Sequence, residues 1–242
     1  MTDNYDKTGL GELESSGVEI ADIGEITKNH ALMLKEIRSW SLWLLGLGVL
    51  HIILSGFLNA SWGILLIIVG VASFYYRTSS MFIIYVATLT WAAVSNLKSL
   101  ESSWIFFSLV QLFIAFRVFQ QYRRFREIEG KFIQIGTDNA NNGLLTKERA
   151  AHSFPWIGSI LGCSSIIGLG ILLVLTLILA SANGWTSVAP NYYIFMEGML
   201  ANIAVLGFAV SLASLLSKYR PNIPAIIGLI AGGLIMVFYL VF

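Results

Sequence analysis

The chain has 242 residues, 56% hydrophobic and only 12% charged, with a mean hydropathy of +0.75 and a net charge of +1. A soluble domain carries about 25% charged residues, so an ordinary soluble globule is excluded. A charge this close to neutral gives no basic field to attract nucleic acid. Runs of about 17–25 apolar residues read as membrane-spanning helices. Several such runs here predict an all-α, polytopic integral membrane protein.

Residues 1–39 are polar and rich in acidic side chains, with no secretory leader in view. They form a predicted cytoplasmic segment, and the first span is expected to act as an uncleaved insertion signal. Within it, "VEIADIGEITKNHALMLKEIR" sets Ile23, Ile26, Met33 and Ile37 near one helical face. That pattern fits a helix on the membrane surface and equally a helix packed on the protein's own loops.

Four short spans follow, at about 40–58, 62–76, 81–97 and 103–121, joined by "FLNAS", "YRTSS" and "KSLESS". Tight connections force antiparallel neighbours, so residues 40–121 are expected to form an up-down four-helix unit. The fourth span continues into "FRVFQQYRRFREIEGKF", where Val118, Tyr122, Phe125, Ile128 and Phe132 recur at helical spacing. Arg123, Arg124 and Arg126 lie between them as candidate contacts to anionic lipid or as a plain positive-inside anchor. Residues 122–153 are read as a basic cytoplasmic linker. "GTDNANNG" at 136–143 is predicted as a loop from its turn-forming residues, and "TKER" at 146–149 as part of a short surface helix.

Three longer spans, about 155–182, 192–217 and 223–242, make up a second unit over 154–242. Seven spans in a four-plus-three arrangement result. Lipid provides no hydrophobic force between helices, so small residues that allow close approach must hold them together. Gly158 and Gly162, then Ala201, Ala204, Gly207, Ser211 and Ser214, then Gly228 and Gly232 form such stripes. They predict tight packing of spans five to seven.

With the N-terminus inside, the cytoplasmic side collects Lys28, Lys35, Arg38, Arg77, Arg123, Arg124, Arg126, Lys131, Lys147, Arg149, Lys218 and Arg220, while the other side receives Lys98. The positive-inside rule then puts the C-terminus outside. Trp40, Trp43, Trp62, Trp104, Trp156, Trp185, Tyr192 and Tyr193 fall near the predicted interfaces, where amphipathic rings belong. An inside N-terminus argues against a seven-helix receptor, and a last span without lysine leaves no Schiff-base nucleophile for retinal.

Polar groups inside the spans are few. Glu197 starts the small-residue stripe of span six, roughly 7 Å inside the outer end at 1.5 Å per residue. His51, Asn96, Gln111 and Asn202 share the outer half of the predicted membrane. Such groups either line an outward cavity for a proton, cation or small solute, or make ordinary interhelical hydrogen bonds. The shallow depth of Glu197 favours the second reading. The motifs of enzymes are missing. There is no HExxH, no GxxxxGK[ST] and no GxSG. His30, His51 and His152 are on separate elements, and Cys163 stands alone, so neither a metal site nor a cofactor is expected.

The segment "VLGFAVSLASLLSKYRPNIPAIIGLIAGGLI" resembles a helix pair of bacterial membrane proteins of unknown function, a small-residue helix ending in a basic turn before a Gly-rich helix. "WGILLIIVG" and "WAAVSNL" are similar to uncharacterised bacterial four-helix membrane modules. The resemblance implies a bacterial inner membrane and carries no activity. The function expected is that of a non-enzymatic scaffold or accessory subunit. Its partners would be membrane lipids, other membrane subunits or a second copy. A solute or ion transporter using Glu197 is the alternative.

Overall fold

The computed structural model describes residues 20–55, 61–98, 102–134, 138–183 and 190–241. Among them the chain is helical throughout, apart from the turns at 76–79 and 217–221. There are seven described helices: α1 (Ile20–Ser55), α2 (Ser61–Tyr75), α3 (Ser80–Lys98), α4 (Ser102–Gln134), α5 (Asp138–Asn183), α6 (Pro190–Leu216) and α7 (Asn222–Val241). Three contain stretches long and apolar enough to cross a membrane, Glu148–Leu179, Met196–Leu216 and Asn222–Val241. The 15 residues of α2 reach only about 22 Å at 1.5 Å per residue, less than the roughly 30 Å hydrocarbon layer.

Helices α1 and α2 pack as one pair and α3 and α4 as another, while α5, α6 and α7 pack mutually. Helix α6 also lies against α2 and α3, and α1 touches α4. The apolar core accordingly runs through both groups, joining Leu65 and Val69 of α2, Phe82 and Tyr85 of α3, Val118 and Phe125 of α4 and Ala209 and Ala213 of α6.

Two predicted boundaries differ. Residues 20–38 are not a separate helix, because α1 runs unbroken from Ile20 to Ser55 and buries Met33 and Ile37 in the protein's own core. The predicted loop at 136–143 is helical from Asp138, and "TKER" is part of the same 46-residue α5. Ala150 and Phe154, both buried, anchor that helix before its apolar part begins. Turn-forming residues disfavour a helix only weakly once packing holds its neighbouring turns.

Backbone contact sets the helix spacing. A methyl group on Gly162 would lie 2.7 Å from the Gly228 carbonyl oxygen, and one on Gly207 would lie 2.5 Å from the Gly162 nitrogen. Gly162 therefore touches α6 and α7 at one level. Gly158 meets Ser211 and Gly228 one turn away, and a methyl on Gly232 would lie 2.6 Å from the Ala204 carbonyl oxygen. The α1–α2 pair uses the same device, with a methyl on Gly48 falling 2.7 Å from the Gly63 carbonyl oxygen. Hydroxyls stay inside these interfaces by bonding their own helix. Ser41 donates to Ile37 O at 2.8 Å, Ser73 to Val69 O at 2.6 Å and Thr88 to Ile84 O at 2.7 Å.

Gly162→Ala and Gly228→Ala are expected to lower stability by about 1–3 kcal/mol each, the usual effect of overpacking. Gly46→Ala and Gly170→Ala meet open space and should be neutral or stabilising by up to about 1 kcal/mol, from helix propensity. Thermal unfolding of the four variants in one detergent, followed by size-exclusion chromatography, checks the contrast.

Candidate functional site

The helices alternate in direction, so the 76–79 turn, the 217–221 turn, the tail of α4 and residues 149–154 of α5 meet at one end. This is the end richest in lysine and arginine. At its centre the Ser79 hydroxyl donates to the carboxylate of Glu129, joining the α2–α3 turn to the α4 tail. Glu129 is buried, 7% exposed. Ser80 lies 2.8 Å from the Ser217 hydroxyl and 2.7 Å from the Tyr219 hydroxyl, joining α3 to the α6–α7 turn. The Thr78 hydroxyl is buried beside the Tyr219 phenol, short of hydrogen-bond geometry.

Local sequence explains how Tyr219 gets there. Helix α6 ends with Lys218 N–H bonded to Leu215 O at 3.1 Å and Tyr219 N–H to Ser214 O at 2.9 Å. Lys218 is left-handed at φ 57°. These are the two bonds of a Schellman cap, with lysine in the place usually taken by glycine. The reversal turns Tyr219 back over the bundle. Arg220–Pro221, joined by a cis peptide, then leads into α7.

Aromatic rings frame this polar group. Phe154 of α5 packs edge-on against Tyr76 at 4.9 Å and against Tyr219 at 6.0 Å. Phe82 stacks on Phe125 at 5.6 Å. On the far side His30 of α1 stacks on Phe132 of α4 at 3.8 Å, with ring planes 4° apart. Burial, and then the neighbouring Glu129 carboxylate, push the Tyr219 phenol up to about 12, against partial relief from the Ser80, Thr78 and Ser217 hydroxyls. Tyr219 is thus neutral at any physiological pH. Desolvation lowers the His30 pKa from its ordinary 6.5. Burial raises that of Glu36, with the Arg124 guanidinium opposing.

The hydroxyls, the carboxylate and the phenol mostly face one another, enclosed by rings. The arrangement is suited to clamping five helices together. Among the described residues no three His, Cys, Asp or Glu side chains gather as a metal-binding set.

The residues singled out from the sequence lie elsewhere. Glu197 is half-buried near the opposite end of α6, within electrostatic range of the Tyr239 hydroxyl on α7. Its neighbour Gly198 faces Ser61 of α2. His51 is half-buried on α1, beside the Gly63 level of α2 where Ile52 packs. Gln111 is half-buried on α4, and Asn202 is buried on α6. Asn96 is on α3, with its side chain outside the described residues. The five are thus spread over four helices. Arg123, Arg124 and Arg126 are exposed on α4, while Val118, Tyr122, Phe125 and Phe132 of the same helix are buried.

Glu129, Ser79, Ser80 and Tyr219 did not stand out in the sequence. For Glu129 a signal existed, because it falls four residues after Phe125 and three before Phe132. That puts a carboxylate within the apolar stripe of α4. Comparison with protein-family models, curated proteins and solved structures returned no match.

Two outcomes follow from this geometry. Glu129→Ala leaves the buried Ser79 hydroxyl without its acceptor and is expected to destabilise by about 1–3 kcal/mol. The paired change Glu129→Leu with Ser79→Ala should lose less than the sum of the single changes, as measured by a thermal-stability cycle with hydrogen exchange over the α4 tail. His30 has a folded pKa below its unfolded value of 6.5, so the stability it adds is present above pH 6.5 and lost as pH falls through the folded pKa. Glu36, shifted the opposite way, adds stability at low pH that is lost as pH rises. Exchange protection of α1 near His30 should drop between pH 7.5 and 5.5, and His30→Phe should remove most of that drop.

Proposed function

We propose that all seven helices cross the membrane, in a four-helix unit over 40–121 and a three-helix unit over 154–242. The N-terminus lies in the cytoplasm and the C-terminus outside, in a bacterial-type inner membrane. The protein works there as a non-enzymatic scaffold or accessory subunit that binds protein or lipid partners. The alternation of the helices supports this threading, since it gathers the lysine- and arginine-rich turns at one end.

The observation that carries the scaffold reading is the outer half of α5. Beyond Gly168, which meets Leu200 of α6, this helix leaves Ile171, Leu173, Val174, Leu175, Leu177, Ile178 and Leu179 exposed, with Leu172 buried. Those residues cover about two thirds of the helix's circumference at about 100° per residue, and the remaining side carries the buried Leu172 and the half-buried Thr176. Helix α6 buries most of its apolar stretch, so α5 stands at the margin of the bundle with a broad apolar face open to another subunit. The polar clamp at the basic end ties the rest of the bundle into a fixed support for it.

Native mass spectrometry after mild-detergent extraction tests this reading. The expected result is a stoichiometric subunit, displaced by Ile171→Trp with Ile178→Trp at unchanged thermal stability. A lone protein with pH-dependent solute flux abolished by Glu197→Gln would replace it with the transporter reading. Reporters fused at residues 59 and 136 are expected outside and inside, respectively. The opposite pattern would overturn the threading.

A further inference from the structure

The amino-terminal half of α1 and the end of α2 line a half-open cavity of about 220 Å³ that the polar clamp does not use. Lys35, Arg38 and Arg77 line it, together with Leu34, Ser73 and Phe74. Three cations share one small cavity, and among the described residues none of them pairs with a carboxylate. Glu36, between Lys35 and Arg38 in sequence, lies within electrostatic range of Arg124 on α4 instead. The Arg77 Nε donates to Phe74 O at 3.3 Å, which holds the guanidinium at the end of α2 and leaves its terminal nitrogens for a ligand.

We propose that this cavity is a phosphate-binding site and that its occupant is the headgroup of an anionic glycerophospholipid. The charge calls for an anion. Arginine forks suit phosphate oxygens, and lysine adds a compact point charge. The depth calls for a lipid. The cavity is one turn from Trp40 and Trp43 on α1, and Trp43 is largely exposed, as befits a ring at the membrane surface. Leu34 and Phe74 give the same cavity an apolar side for the glycerol and first methylenes. Ser73 is buried at the base, where it donates to Val69 O and faces the Tyr85 phenol. Basic pockets between helices on the cytoplasmic side are a known form of lipid-headgroup site. Lys35, Arg38 and Arg77 are exposed, as are Arg123, Arg124 and Arg126 of α4, but the α4 arginines do not line this cavity. The inference rests on the threading proposed above in taking α1 and α2 to span the membrane, but not on the scaffold role.

The test is a native mass spectrometric titration of the full chain in detergent with phosphatidylglycerol or phosphatidylcholine. The wild type is compared with Arg77→Gln, with Arg38→Gln plus Arg77→Gln, and with the triple change of Arg123, Arg124 and Arg126 to Gln. One phosphatidylglycerol should bind in preference to phosphatidylcholine. Each cavity cation removed should weaken it about fivefold, roughly 25-fold for the double variant, while the triple variant binds like the wild type. Arg77→Lys, with charge kept and the fork lost, should fall between the wild type and Arg77→Gln. Unchanged melting of the lipid-free variants separates loss of the site from loss of the fold. No headgroup preference, or loss in the triple variant alone, overturns the proposal. Inorganic phosphate that displaces the lipid and stabilises the lipid-free protein equally well would mark the source as a soluble phosphate and overturn the lipid assignment. Because the titration is done in detergent, its outcome does not depend on which way the chain is threaded. A failure of the topology reporters and a failure of lipid binding are therefore told apart.

Discussion

Gly162 is held between Gly207 and Gly228, and the architecture follows from that contact. Two neighbouring backbones touch the same residue, so the axes of α5, α6 and α7 are fixed where any side chain would separate them. Helices in lipid gain nothing from hiding apolar surface from one another, and dispersion at close range must hold them instead. Once α6 is placed, its Ala209, Val210 and Ala213 join the core that includes α2 and α3. The contact between three glycines thereby positions elements far from it in sequence.

The opposite strategy operates at the basic end, where the glycine contacts give way to hydroxyls, a carboxylate and rings. Each tie joins segments distant in the chain: Ser79 to Glu129, Ser80 to Ser217 and Tyr219, Tyr76 and Tyr219 to Phe154, His30 to Phe132. A buried carboxylate is expensive unless hydrogen-bonded, so Glu129 makes the position of the α4 tail specific as well as stable. The Lys218 cap belongs to the same arrangement. A left-handed lysine is unfavourable by roughly 1 kcal/mol, and the turn it makes delivers Tyr219 to Ser80.

The features legible in the sequence were those with a period. The small-residue stripes at three- and four-residue spacing face one another, and the aromatic stripe of α4 is buried as its spacing requires. What needed two helices in register was not legible. Lys35, Arg38 and Arg77 read as scattered positive charge until Gly48 meets Gly63 and fixes α1 against α2. The sequence offers Gly46 as well as Gly48, and only a structure tells which one makes the contact. The run at 136–143 misled for a different reason. Its Asn, Asp and Gly residues favour turns locally, whereas α5 is extended from its packed part through Ala150. Glu197 drew notice as the carboxylate within an apolar run, but the more deeply buried carboxylate is Glu129, in a segment whose charge made one more acidic residue unremarked.

The disparity in helix length has a mechanical consequence. At 1.5 Å per residue the 32-residue apolar stretch of α5, Glu148–Leu179, extends about 48 Å, about twice the reach of α2 with 15. These two helices meet at the basic end, where Arg149 lies over the Tyr75 ring and Phe154 packs on Tyr76, and α6 packs against both. With the threading proposed, the bilayer must pinch beside α2 and relax to full thickness beside α5, at a fraction of a kcal/mol per Å of mismatch. The protein then carries a wedge-shaped elastic footprint. Neighbours with short spans lower the total strain by gathering on the pinched flank, so lateral sorting in the membrane is directional even before any specific contact is made.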